Sequence, residues 1–283
     1  MTDTKLRDAI YGTAIGDALG VPYEFMERDT FVCTGMAGHG THNQPKGTWS
    51  DDTSMALATA KSLKDNHGAV DLADIRHNFE LWLYKEEFNC NGRTFDVGNT
   101  TANAIIDRKG CTDVMSNGNG SLMRIIPLAF TECTDDEIRE VSAITHGHRI
   151  STEACVIYVH LARRMLAEPW DRKEDRKAYF ERLLNEEKYE APFERLSRLP
   201  ELSRDEIRST GYVVDTLEAA VWCLVTTESF EECLLKAVNL GKDTDTVGAV
   251  AGGLAGIFYD FSEFPKEYIR TLRNKTLIGS CLF

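Results

Sequence analysis

Gly12, Gly16 and Gly20 recur at every fourth position of a stretch, residues 5–19, that otherwise mixes apolar and small side chains. In a helix, positions i and i+4 share a face, so the three glycines form a stripe on which a second backbone can approach closely. This helix is expected to lie at the centre of the fold. Helical periodicity returns at about 52–64, 71–86, 100–108, 121–130, 134–146, 152–167, 172–187, 212–226, 229–240 and 245–259, while alternating strand-like runs are nearly absent. The expectation is an all-α fold. The small-residue run from Val247 to Gly256 carries four more glycines with no strand before it, so they read as close helix packing and not as a dinucleotide-binding loop.

A chain of 283 residues can bury a large core without covalent staples, and it is read as one domain spanning 1–283. The stretch from Glu168 to Arg208 is dense in Glu, Lys and Arg and poor in glycine, which suits exposed helices. Chemical motifs fall on both sides of it, so it is read as a charged peripheral helical segment of that domain. Eight scattered cysteines form no C-x-x-C pair and no zinc-spaced cluster, which argues against disulfides and structural zinc. The N-terminus lacks a basic-then-apolar signal pattern, and no apolar run reaches membrane-spanning length, so a cytoplasmic protein with no membrane association is expected. A formal net charge of −13 disfavours non-specific attraction to nucleic acid without excluding it.

Two acidic clusters carry the chemistry. Trp49-Ser50-Asp51-Asp52-Thr53 sits directly before an apolar-periodic helix. Adjacent carboxylates repel unless a cation or a helix N-terminus offsets them, and for this cluster alone simple helix capping is a sufficient explanation. The second cluster, Asp243-Thr244-Asp245-Thr246, also opens a helix and offers carboxylate and hydroxyl oxygens, the donors preferred by Mg²⁺, Mn²⁺ and Ca²⁺. If the two clusters meet across the core, four converging carboxylates require metal. No EF-hand loop, Walker loop or G-x-S-x-G elbow is present. Gly118-Asn119-Gly120-Ser121 opens a further expected helix, and a glycine-rich turn with free N–H groups suits phosphate, although an ordinary turn and cap has the same look.

Read together, the motifs resemble the ADP-ribosylglycohydrolase family, which includes the dinitrogenase reductase-activating glycohydrolase. The resemblance runs in order through Gly12 to Phe25, Trp49 to Met55, Asp96 to Thr101, Gly118 to Arg124, Thr145 to His148, Gly211 to Ala219 and Asp243 to Thr246. It implies a compact, single-domain orthogonal helical bundle and a binuclear Mg²⁺ or Mn²⁺ centre held by Ser50, Asp51, Asp52, Asp243, Asp245 and Thr246. Ser50 stands where the family usually has threonine; the hydroxyl is kept and a methyl is lost. The resemblance further implies Glu24, Asp96 and Asp245 as catalytic residues, Asn99 beside the ribose, and Gly118, Gly120, Ser121, Leu122 and Met123 around the diphosphate. His146 is either a ligand contact or a structural residue closing a helix, and Tyr212 either meets the nucleotide or belongs to the core. The implied activity is hydrolysis of the bond between ADP-ribose and a modified target, with ADP-ribosyl-arginine on protein the first expectation and free ADP-ribose the product. Two alternatives stay open. One is another ADP-ribosyl linkage, to serine, acetate or nucleic acid; the other is a non-catalytic ADP-ribose-binding module. Residues 31–47, rich in Gly, Thr, His and Asn, are the expected loop against the leaving group.

Overall fold

A computed structural model describes residues 2–283. It contains α1 (Thr2–Gly20), α2 (Asp51–Asp65), α3 (Leu72–Lys85), α4 (Asn99–Ile106), α5 (Asp135–Ala143), α6 (Arg149–Ala167), α7 (Arg176–Asn185), α8 (Val213–Val225), α9 (Phe230–Val238), α10 (Thr244–Phe258), α11 (Lys266–Thr271) and α12 (Lys275–Cys281). Among the described residues there is no strand, and β-type pairing is limited to isolated bridges such as Gly118 with Tyr212. The all-α expectation holds.

The glycine stripe explains how the centre is built. A Cβ on Gly12 would lie 2.1 Å from the carbonyl oxygen of Gly252, one on Gly16 1.9 Å from that of Gly248, and one on Gly20 2.3 Å from the Cα of Asp245. As one number rises the other falls, so α1 and α10 run antiparallel with backbones in contact. Every residue of α10 from Thr244 to Ile257 is buried, as expected of a helix that is apolar or small on all sides. The consequence for function is positional: this packing sets the C-terminal end of α1 against the N-terminal end of α10, where the second acidic cluster lies.

Two features differ from the expected pattern. The helix expected at 121–130 is instead two short 3₁₀ segments, Leu122–Arg124 and Ile126–Phe130. Pro127 supplies the reason, since its ring removes a donor and disfavours α geometry at the residue before it. The C-terminal helices α11 and α12 follow the last expected one. They brace the first acidic cluster: Trp49 donates its indole N–H to the carbonyl of Arg273 at 3.2 Å, and a Cβ on Gly47 would meet the carbonyl of Thr271 at 2.3 Å.

The charged stretch after α6 contributes α7, which buries Tyr179, Phe180, Leu183 and Leu184. Phe180 and Tyr179 meet the ring of Phe258 with centroids 4.9 and 5.8 Å apart. From the same stretch, the carbonyls of Arg204 and Ile207 accept hydrogen bonds from the Arg28 guanidinium, which also donates to the carbonyl of Leu240. Arg28 thereby ties this stretch to the turn that follows α1.

Candidate active site

The chain leaves α1 through a turn that carries Glu24. Thr244 donates its hydroxyl to the carbonyl of Gly20 at 2.8 Å, the N–H of Phe25 donates to the carbonyl of Lys242 at 2.7 Å, and the N–H of Lys242 donates to that of Met26 at 2.7 Å. These bonds stitch the turn to the segment leading into α10, so Glu24 faces Asp243 and Asp245. Asp243 accepts a hydrogen bond from the Asn119 amide at 2.9 Å, which links the same cluster to the glycine turn.

Asp17, which lies within the Gly12 to Phe25 motif, organises the other acidic cluster. It is fully buried on α1 and accepts from the N–H of Ser50 at 2.8 Å, from the N–H of Thr53 at 3.0 Å and from the Thr53 hydroxyl at 2.6 Å. A carboxylate placed at the N-terminus of α2 satisfies donors that the helix cannot satisfy itself. Ser50 is the N-cap of α2, and its hydroxyl donates to Asp52 at 2.9 Å. Asp51 and Asp52 thus enter the site as the rigid first turn of a helix.

A third wall comes from two loops. Asp96 has left-handed backbone with φ 58°, and His42 projects from the loop 31–47. That loop is pinned to the turn after α1, because Thr41 donates its N–H to the carbonyl of Pro22 at 3.1 Å and its hydroxyl to that of Glu24 at 2.7 Å. His42 Nε2 consequently meets the Glu24 carboxylate and lies 3.6 Å from that of Asp96. Single ligand atoms of Glu24, His42, Asp96 and Asp245 all lie within 4.8 Å of one another, a group that could hold a metal ion. No spacing pattern in the sequence marks His42; its one sequence signal is membership of the loop 31–47, expected against the leaving group.

The electrostatics of this cluster are those of an overcrowded acid site. Burial first, then the carboxylates of Asp96, Asp52, Asp17 and Glu24, hold the carboxyl of Asp51 well above its ordinary range. Burial and neighbouring Asp17 and Asp243 do the same to Asp52, and burial with Glu24, Asp52, Asp96 and Asp243 to Asp245. Glu24 is raised by burial and by Asp96. Asp243 is also raised by burial, against hydrogen bonds from Asn119 and Thr246 that favour its charged form. The two acidic clusters therefore do converge. Their hydrogen bonding is incomplete: Asp52 Oδ1, Asp243 Oδ1 and Asp245 Oδ2 are buried without a hydrogen-bond partner. A buried carboxylate oxygen with no donor is costly, and a divalent cation is the partner that hard oxygen ligands accept.

Beside the acids lies the turn from Gly118 to Ser121. The carbonyl of Gly211 accepts the N–H of Asn119 at 3.0 Å, and the N–H of Val213 donates to the carbonyl of Asn117 at 3.0 Å, which sets Tyr212 alongside Gly118. Tyr212 is 37% exposed and Asn99, the first residue of α4, is exposed, so both side chains face outward. Ser121 points inward: it is fully buried and its hydroxyl bonds to Ser142 at 2.9 Å. Leu122 and Met123 are buried as well, whereas Gly118 and Gly120 are half-buried, so the glycines are the part of the turn open to a ligand. His146 is buried beneath the turn, 2.9 Å from a Cβ built on Gly120, and burial with nearby Arg124 pushes its imidazole down to about 3. Arg124 is fully buried too and donates to the carbonyl of Gly120 at 3.2 Å, fixing the turn from below.

The family model described as ADP-ribosylglycohydrolase matches residues 2–282. The chain belongs to that family. It is 33% identical over 297 residues to the ADP-ribosylarginine hydrolase Tri1 of Serratia proteamaculans, a match covering 98% of this chain and 77% of that protein. The protein of the same name from Pseudomonas putida is 35% identical over 277 residues, covering 94% of this chain and 73% of that one. Among solved structures, one titled "ADP-ribosylglycohydrolase-related protein complex" superposes with a TM-score of 0.81 at 31% identity, over 99% of this chain and 96% of that chain. The all-α bundle is thus of the ADP-ribosylglycohydrolase type.

Proposed function

We propose that this chain hydrolyses the N-glycosidic bond between ADP-ribose and the side chain of an ADP-ribosylated arginine on a protein, releasing free ADP-ribose. Near-full-length similarity to two proteins named ADP-ribosylarginine hydrolase supports the substrate. The observation that carries the chemistry is the set of three buried, partnerless carboxylate oxygens on Asp52, Asp243 and Asp245. These fit a divalent centre, and in this reading Ser50, Asp51, Asp52, Asp243, Asp245 and Thr246 hold two Mg²⁺ or Mn²⁺ ions. When bound, such ions lower the pKa of a coordinated water and fix the ribose hydroxyls.

The remaining chemistry belongs to side chains. Hydrolysis forms a bond from water oxygen to the anomeric carbon and breaks the bond from that carbon to the guanidine nitrogen, which keeps the electron pair. One proton of the water must reach that nitrogen, so that arginine leaves as guanidinium. Glu24, His42 and Asp96 meet at one point and can take and return that proton. The turn from Gly118 to Met123 would hold the diphosphate through its half-buried glycines, with Asn99 and Tyr212 at the rim and His146 supporting the turn.

The protein is read as one domain with the charged stretch 168–208 at its periphery. No helix among the described residues is long and apolar enough to cross a membrane. All eight cysteines are free thiols and seven are buried, which suits a cytoplasmic, reducing setting. The test is release of ADP-ribose from an arginine-ADP-ribosylated protein with Mg²⁺, with Mn²⁺ and with EDTA. Release that EDTA abolishes is the expected result; no release under any condition would overturn the proposal.

A further inference from the structure

Phe25 immediately follows Glu24 and adopts left-handed backbone with φ 64°, yet its side chain is 67% exposed. Glycine or asparagine would occupy such a turn position with less strain, and a bulky residue there is unusual. The neighbouring aromatic, Tyr23, stacks on Phe31 with centroids 4.6 Å apart, whereas the ring of Phe25 stands 6.1 Å from that of His42 in a tilted, open arrangement. The strain is held in place from behind by the hydrogen bond from the Phe25 N–H to the carbonyl of Lys242. Strained backbone at a site wall, over-determined by its surroundings, is where a functional constraint is expected.

The surroundings say what the ring faces. His42, 6.1 Å away, contacts Glu24 and approaches Asp96, so the ring borders the acid cluster. It does so from the turn after α1 and beside the loop 31–47. The glycine turn reaches the same cluster from another element, through Asn119 and Asp243. A ligand whose diphosphate lies on the glycine turn would therefore direct its leaving group toward Glu24, His42 and Phe25. An exposed aromatic face beside several carboxylates attracts a flat, delocalised, weakly hydrated cation, and guanidinium has each of these properties.

We propose that Phe25 is the platform on which the guanidinium of ADP-ribosyl-arginine stacks, making it a specificity-determining residue for the arginine linkage. This rests on the arginine reading given above. The ring holds the departing group flat while Glu24 and His42 deliver a proton to its nitrogen.

The test uses the full chain with Mn²⁺ and the variants Phe25→Ala, Phe25→Leu and Phe25→Trp, assayed on free ADP-ribosyl-arginine, on an arginine-ADP-ribosylated protein and on O-acetyl-ADP-ribose, with inhibition by ADP-ribose measured alongside. Phe25→Ala and Phe25→Leu are expected to lower kcat/KM on both arginine substrates by about tenfold, the scale of a partly desolvated cation–π contact. Phe25→Trp should match or exceed the parent, and inhibition by ADP-ribose should stay constant in all three. Full activity in Phe25→Leu would mean that only apolar area matters and would overturn the proposal. So would weakened ADP-ribose inhibition, which would put the ring on the part common to all substrates. A loss confined to the protein substrate would assign Phe25 to the surface of the target protein instead. Failure of the underlying reading looks different: the unmutated chain then cleaves O-acetyl-ADP-ribose and leaves the arginine linkage intact, which removes the guanidinium and the proposal with it.

Discussion

Gly16→Ala puts the central packing to its most direct test. The new Cβ would lie 1.9 Å from the carbonyl oxygen of Gly248, 2.4 Å from its carbonyl carbon and 3.0 Å from the nitrogen of Ala249. All three are backbone atoms, so no rotamer change can relieve the overlap. Restoring ordinary contact requires α1 and α10 to part locally by about 1.5 Å, and a gap of that size forfeits most of the dispersion attraction along the seam. Overpacking costs ~1–3 kcal/mol when side chains can adjust. With only backbone to move, the cost belongs above that range, at roughly 4 kcal/mol, against which alanine's better helix propensity returns about 1. The net loss of about 3 kcal/mol should lower Tm by roughly 5–10 °C in a chain of this size. Activity should fall further than stability suggests, because the displaced helix ends carry Asp245 and lead into the turn that bears Glu24, and misplacement on the order of 1 Å costs about 10²-fold. Thermal unfolding by circular dichroism, beside an ADP-ribose release assay, measures both effects. Gly279→Ala is the control: it lies in α12 with nothing within 4 Å of the new Cβ, so it should be neutral or slightly stabilising. An unchanged Tm and kcat/KM in Gly16→Ala would refute the reasoning.

Mn²⁺ or Mg²⁺ at a hundred times its Kd should stabilise the chain by about 2.7 kcal/mol through mass action, visible as a Tm shift that EDTA reverses; a Tm indifferent to both ions would contradict the metal assignment. Asp245→Asn should lower turnover by about 10³-fold or more with the far-ultraviolet spectrum unchanged, and its metal-free form should be no less stable than the parent, since one mutually repelling carboxylate is gone. Away from the site, His160 donates to Glu187 at 2.8 Å and to Asp135 at 2.7 Å, and these bonds raise its imidazole above the ordinary 6.5. A raised folded value favours the protonated form, so this contribution is complete below about pH 6.5 and is lost as pH rises through the folded value. Unfolding free energies against pH for the parent and His160→Gln should converge at alkaline pH, and parallel curves would count against the assignment.

Residue spacing along the chain is enough to specify the helical class and the backbone contact at its centre. Glycines at every fourth position of one segment and a small-residue run in another leave few structures in which both are buried, and α1 against α10 is the one adopted. It also determined which residues could carry chemistry, because paired acids at two helix starts are expensive without a cation wherever they lie. Local signals worked where the determinant was local, as at the N-cap of α2. They failed at 121–130, where Pro127 broke a pattern that apolar spacing alone read as one helix. Which of these residues meet is set by the packing of the helices and loops. Asp17 faces the N-terminus of α2 from a different helix, His42 reaches Glu24 because Thr41 pins its loop to the turn after α1, and Ser121 and His146 turn inward beneath the glycine turn. Each of these depends on contact between residues distant in sequence or on the direction a side chain takes from a turn, and neither is encoded in the spacing of residues along one chain segment.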